Sequence, residues 1–206
     1  MTSEAMHENV HDEGQGRGRD TRSRLRELAL QLFAEQGYEQ TSLREIAERL
    51  GVTKAALYYY FKSKEDIVRS LVEDYMAELD QLIAWGKDQP RSDQTRAEIV
   101  NRYLGIVVNG TAVFRLLHQN QAAVSALAAT KGRGELFRER MDALVDLLTE
   151  PGASLRDQIR AASCLVSINF GSMHYQDRAA SPAELKAAVL DVALELANVT
   201  PAQAPA

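Results

Sequence analysis

Arg44, Lys54, Tyr58 and Tyr59 are the residues of this 206-residue chain whose types and spacing point to recognition chemistry. Lys54 and Tyr58 are four apart, so on a helix they share a face. Arginine and lysine reach the guanine acceptors that line a DNA major groove, and polar side chains such as tyrosine bind phosphate oxygens. An exposed tyrosine pair is costly on an ordinary solvated helix and suits a surface that meets phosphates and base edges. The bland alternative is a small helical hairpin inside a larger core, with its tyrosines packed.

Positioning those side chains takes two short helices. Ser42 and Glu45 form a capping box, and Leu43, Ile46, Ala47 and Leu50 follow at one-face spacing. Gly51 supplies the left-handed stop. Val52 bridges, and Thr53 caps a second helix from Lys54, with Leu57 and Phe61 as its inward anchors. Ser63 and Asp66 form the next capping box. Two short helices joined through a glycine turn, the second presenting Lys and Tyr, is the pattern of a helix-turn-helix reader of DNA.

These residues also resemble a family. LREIAERLGVTKAALYYYFKSKEDIV is similar to the amino-terminal signature of the tetracycline-repressor (TetR) family of bacterial regulators, at Ile46, Ala47, Gly51, Val52, Leu57, Tyr58, Tyr59, Phe61, Lys64 and Glu65. The resemblance extends back through Gly37 and Tyr38 to Arg26 and covers roughly the first third of the chain. It implies base contacts from Arg44, Lys54, Ala55 and Tyr58, and phosphate contacts from Ser42, Tyr59 and Lys64. Thr53 belongs to the same DNA-facing set. The chain has Ala55, Ala56 and Tyr60 where the family often has Gly, Thr or Ser, and His, so a hydroxyl contact to phosphate from position 56 is lost.

The net charge of −5 argues against a nucleic-acid binder only if taken whole. Residues 17–72 carry eleven Lys/Arg against eight Asp/Glu, a net of +3, whereas residues 1–16 and 73–206 carry −4 each. Basic charge is thus collected on the segment with the helix-turn-helix pattern. Cys164 is the one cysteine, so no internal disulfide is possible and a reducing cytoplasm is the expected compartment. Residues 1–20 are polar, and the apolar run from Leu104 to Phe114 is too short and too interrupted to span a bilayer.

In chain order, residues 1–18 read as a disordered arm, with an arginine cluster from Arg17 to Arg26 leading into the first helix. His7 and His11 are four apart but have no supporting ligands and read as solvated. Asp20 or Thr21 caps a helix whose stripe is Leu25, Leu28, Ala29, Leu32 and Phe33, closed by Gly37. Residues 19–66 form the reading head. Residues 67–199 form a second, dimerising domain, entered by a long helix from Lys64 that ends before Gly86 and Pro90. A helix from Ser92 or Asp93 is read as broken at Asn109-Gly110 and resumed from Thr111 to about Ala129. Helices from Leu136 to Leu148, Ser154 to Tyr175 and Pro182 to Asn198 follow, then a frayed tail at 200–206. No strand pattern occurs, so the expected fold is all-α.

The TetR resemblance implies a small-molecule pocket in the second domain, for which Trp85, Tyr103, Phe114, Leu117, His118, Met141, Phe170, Met173 and His174 are the candidates. For each of them plain core packing is the alternative. Two apolar helices at the end of the chain need a partner surface, so a homodimer is expected. No phosphate loop, HExxH, CxxC or catalytic triad pattern occurs, and no enzyme activity, cofactor, metal or membrane partner is expected. The reading is a ligand-released repressor binding a near-palindromic double-stranded operator as a homodimer. Its alternative is a DNA-bound regulator whose partner is another protein.

Overall fold

The computed structural model of the chain describes residues 9–119, 133–176 and 178–199. All regular structure among them is helical: α1 Asn9–Gln36, α2 Leu43–Leu50, α3 Lys54–Tyr60, α4 Lys64–Lys87, α5 Asp93–Gln119, α6 Arg133–Leu148, α7 Leu155–His174 and α8 Pro182–Ala197. The tail read at 200–206, the resumed helix beyond Gln119, His7 and the His11 side chain lie outside the described residues.

The helix ends follow the local chemistry. The Ser42 hydroxyl accepts from the Glu45 N–H at 3.1 Å, and Thr53 accepts from the Ala56 N–H at 3.1 Å. Ser154 and Ser181 cap α7 and α8 in the same way, with Pro182 at the first turn of α8. Gly51 sits at φ 73°, where a Cβ would be strained, and its N–H closes α2 on Glu48 and Ala47 carbonyls. α1 begins at Asn9, well before the expected Asp20 or Thr21, and its apolar stripe of Leu25, Ala29, Leu32 and Phe33 is buried.

The chain divides into two compact units, one of residues up to Leu71 plus a stretch from Leu116, the other of 72–115 and the helices from α6 onward. In the first, Leu25, Leu32, Phe33, Tyr38, Ile46, Leu57, Phe61, Ile67 and Leu116 form one core. In the second, α4, α5, α6, α7 and α8 contribute Leu79, Leu82, Ile99, Tyr103, Leu104, Leu144, Cys164, Ile168 and Ala193. Both α4 and α5 run across the boundary between units.

The expected break at Asn109-Gly110 does not occur, because α5 is continuous from Asp93 to Gln119. Asn-Gly is a turn signal only where nothing else needs the glycine. Here Gly110 is buried, and a Cβ on it would stand 2.7 Å from Tyr75 Cδ2. The glycine lets α4 and α5 approach closely, and tertiary packing overrides the local preference. Gly110→Ala is therefore expected to lower stability by about 1–3 kcal/mol, the usual cost of overpacking. That outweighs the roughly 0.5–1 kcal/mol that alanine gains over glycine in a helix. Urea unfolding checks it, and an unchanged or raised midpoint would mean that the Tyr75 ring gives way freely.

Candidate nucleic-acid interface

The α2–turn–α3 unit presents one polar, aromatic face. Leu57 and Phe61 are fully buried and fix α3 on the head core, which leaves Lys54, Ala55, Tyr58 and Tyr59 outward. Tyr59 is 78% exposed and Tyr58 37%. The Lys54 ammonium lies 5.5 Å from the Tyr58 ring centroid, so the two act as one cation–aromatic surface. Lys62 Nζ donates to the Tyr58 carbonyl at 2.8 Å and secures the last turn of this short helix.

Arg44, on the exposed side of α2, donates through Nε to Glu48 Oε1 at 2.6 Å. An exposed pair of this kind is screened by water and holds a side chain only weakly, so a phosphate or guanine edge competes for it readily. Ser42 and Thr53 use their oxygens as caps, and each hydroxyl hydrogen remains chemically able to donate outward.

Lys64 has an internal role the sequence reading missed. Its ammonium donates to the Tyr38 carbonyl at 2.6 Å and lies 4.4 Å from the Tyr38 ring centroid. The Tyr38 hydroxyl donates to Glu65 Oε1 at 2.9 Å. Adjacent residues of α4 therefore clamp the turn that follows α1. Burial, then the hydrogen bond to Glu65 and its negative charge, push the Tyr38 phenol up. Burial alone would raise the Glu65 carboxyl, but bonds from its own backbone N–H, Ser63 and Tyr38, with the Lys64 charge, hold it below its ordinary value. Gln36 adds a second tie, donating to Thr41 at 3.2 Å and Glu45 at 2.8 Å. Only the closeness of Tyr38 to Gly37 and the Lys64-Glu65 pair marked these residues in the sequence, and neither signals a contact 26 residues apart. From the arginine cluster, Arg22 reaches back to lie 5.3 Å from the Phe61 ring centroid.

The nine pocket candidates do not converge. Tyr103 is fully buried, accepts from Asn169 Nδ2 at 2.6 Å and donates to Met141 Sδ at 3.6 Å. Phe114 packs edge-on against Tyr75 at 4.8 Å. These form one interior cluster, in which Tyr75 and Asn169 were not anticipated. Trp85 lies apart under the Arg102 guanidinium at 3.9 Å and lines an open groove of about 570 Å³. Phe170 and His174 stack on each other at 4.1 Å on the exposed side of α7, with Met173 half-buried beside them. Leu117 packs against the head core, because unbroken α5 carries it there. The His118 side chain lies outside the described residues. Burial pushes the Cys164 thiol up to about 12, which disfavours the reactive thiolate.

Among the described residues no helix is long and apolar enough to cross a membrane, and no three His, Cys, Asp or Glu side chains are grouped to hold a metal. Residues 25–71 match the model of the bacterial regulatory proteins, tetR family. The chain is similar to the fatty acid metabolism regulator protein of Bacillus subtilis, 26% identical over 125 residues, which span 60% of this chain and 64% of that one. The match thus stops just short of two thirds of the relative's length. The fold is that of the ketosteroid regulator KstR2 of Mycobacterium tuberculosis, with a TM-score of 0.61, 19% identity, and coverage of 88% and 96%. It is likewise that of the FadR regulator of Bacillus subtilis in complex with stearoyl-CoA, with a TM-score of 0.58, 18% identity, and coverage of 85% and 96%. The Lys54–Tyr59 face therefore lies within the stretch, residues 25–71, that matches the tetR-family model, on a fold shared with solved TetR/AcrR-type regulators.

Proposed function

We propose that this chain is a transcriptional repressor that binds a near-palindromic operator as a homodimer and lets go when a small effector binds its second unit. The observation that carries the reading is the exposed Lys54–Tyr58–Tyr59 face of α3, held on a buried Leu57–Phe61 base. A short helix so anchored enters the major groove with its side chains leading. Arg44, Ala55 and Tyr58 then meet base edges, and Ser42, Thr53, Tyr59 and Lys64 the flanking phosphates. Lys64 does this while bound to the Tyr38 carbonyl, as a fixed point of positive charge.

The partner surface is on α7 and α8. Leu155, Ile159, Val166 and Phe170 recur at helical spacing on α7 and are 72%, 57%, 64% and 52% exposed. Beside them α7 and α8 enclose an apolar groove of about 460 Å³ lined by Phe170, Gly171, Ala188 and Val192. A face so apolar is unusual on a monomer, and a second copy applied about a twofold axis covers it with itself. Leu165 is only 2% exposed and belongs to the core, one position out of step with the outward stripe.

Release follows from linkage. An effector that binds the DNA-free form better weakens operator binding by the same factor that operator weakens effector binding. The names of similar regulators, one for fatty acid metabolism and one for ketosteroids, favour an apolar effector. The test is retention of fragmented genomic DNA from the source organism by the purified full-length protein. Retained fragments are expected to share an inverted repeat with half-sites about one helical turn, or a multiple, apart. No retention at low salt would overturn the reading.

A further inference from the structure

Resting on the operator reading, we propose that Glu48 is a positioning residue for base readout. It holds Arg44 by Nε and leaves the guanidinium fork to a guanine in each half-site rather than to a phosphate. Arg44 Nε donates to Glu48 Oε1 at 2.6 Å, and the two side chains are 76% and 62% exposed on α2. Arginine reads guanine through two parallel N–H donors set against O6 and N7. A carboxylate on a terminal nitrogen would spoil that fork. A carboxylate on Nε leaves Nη1 and Nη2 to form it and restricts the rotation that would aim it elsewhere.

The pair does not serve the helix that carries it. Arg44 stands in the first turn of α2 and Glu48 in the last, so a cation lies at the positive end of the helix dipole and an anion at the negative end. A base placed before an acid at this spacing is also the weaker of the two orders. The same helix holds the opposite arrangement in Glu45 and Arg49, each at its favoured end, and those groups are 4.0 Å apart. The order that opposes the helix is thus the one made with a short, directed bond. Charge then sorts the partners of Arg44. A phosphate is drawn by the full positive charge of an arginine, and Glu48 offsets that charge while repelling the anion. A guanine edge is neutral and asks only for correctly placed donors, which remain. Glu48 turns Arg44 from a sequence-blind phosphate contact into a base reader.

The experiment selects duplexes from a random-sequence pool with the full-length protein, sequences the bound fraction, and titrates the preferred duplex at several salt concentrations. The wild type is expected to prefer guanine at one position of each half-site. Placing 7-deazaguanine there, which lacks the N7 acceptor, is expected to weaken binding about fivefold or more. Arg44→Ala is expected to abolish both effects. Glu48→Ala is expected to cut the guanine preference about fivefold or more and to raise affinity for unselected duplexes. Its salt dependence should steepen by about one unit of slope for each head, as Arg44 turns to phosphate. Glu48→Gln keeps an acceptor for Nε without the charge, so it should steepen the salt dependence and keep more of the guanine preference than Glu48→Ala. The melting temperature should hold in both variants, because the pair is exposed. The Arg44→Ala/Glu48→Ala double variant should match Arg44→Ala, since Glu48 acts through Arg44. A guanine preference that survives Glu48→Ala, or one that ignores Arg44→Ala, overturns the inference and leaves the operator reading standing. A Glu48→Ala variant that melts earlier and weakens on all duplexes alike is acting on the fold, and it overturns the inference too. A wild type that enriches no sequence at low salt overturns the operator reading and this inference together.

Discussion

An aspartate at Val166 is expected to turn the protein into a folded monomer that no longer holds its operator. Val166 is 64% exposed and lies in the Leu155–Ile159–Val166–Phe170 stripe, so in a single copy the new carboxylate stays in water. In the dimer it is buried, and twofold symmetry buries it twice, near its own image. An unpaired charge forced into an apolar contact costs several kcal/mol, and the double occurrence raises the dissociation constant by about a thousandfold or more. Circular dichroism should show an unchanged helical spectrum, and sedimentation at micromolar concentration a halved mass. Leu165→Asp, one residue earlier, is the contrast. That side chain is 2% exposed in the second unit's core, so the same substitution there should unfold the protein. A wild-type protein that sediments as a monomer, or a Val166→Asp variant that remains a dimer, would remove α7 and α8 as the interface. Operator binding falls with the dimer, because two linked heads bind two half-sites at an effective concentration that a lone head lacks.

The reading head was legible because its signals are local. Ser42, Gly51 and Thr53 each set a helix end within a few residues, and the structure uses them at those places. The second unit was legible as helices and much less so as a site. The 3.6-residue period says that Tyr103, Phe114, Met141 and Phe170 are apolar stripe residues, but not whether a stripe faces a core, a pocket or a partner. Phe170 and Tyr103 look alike in sequence, yet one is 52% exposed and the other fully buried. Gly110 was misread for a related reason, since its role is set by Tyr75, 35 residues away, and no local pattern carries that. Tyr75, Asn169 and the Lys64–Tyr38 clamp are likewise products of tertiary approach between distant segments.

Replacing Tyr58 or Lys54 by alanine is expected to lower operator affinity roughly fivefold to a hundred-and-fifty-fold each, the equivalent of about 1–3 kcal/mol for a lost base contact. The two residues are stacked, with the Lys54 ammonium 5.5 Å from the Tyr58 ring centroid, so their losses should not add. Removing the ring leaves the lysine unguided, and removing the lysine leaves the ring without its cation, so the double variant should lose less than the sum. Specificity separates these side chains from phosphate contacts. Tyr58→Ala and Lys54→Ala should relax preference at one or two positions of each half-site, with fold and dimer intact, because both side chains are exposed. Tyr59→Ala, at the proposed phosphate contact, should weaken all sequences alike without changing the preferred base. Lys64→Ala carries a further cost, since it also releases the Tyr38 carbonyl and loosens the turn after α1, so its melting temperature should fall with its affinity. Gel-shift titrations on an operator and on single-base variants decide among these. If Tyr58→Ala and Lys54→Ala both bind the operator as the wild type does, then α3 is not the reading helix, whatever face it exposes.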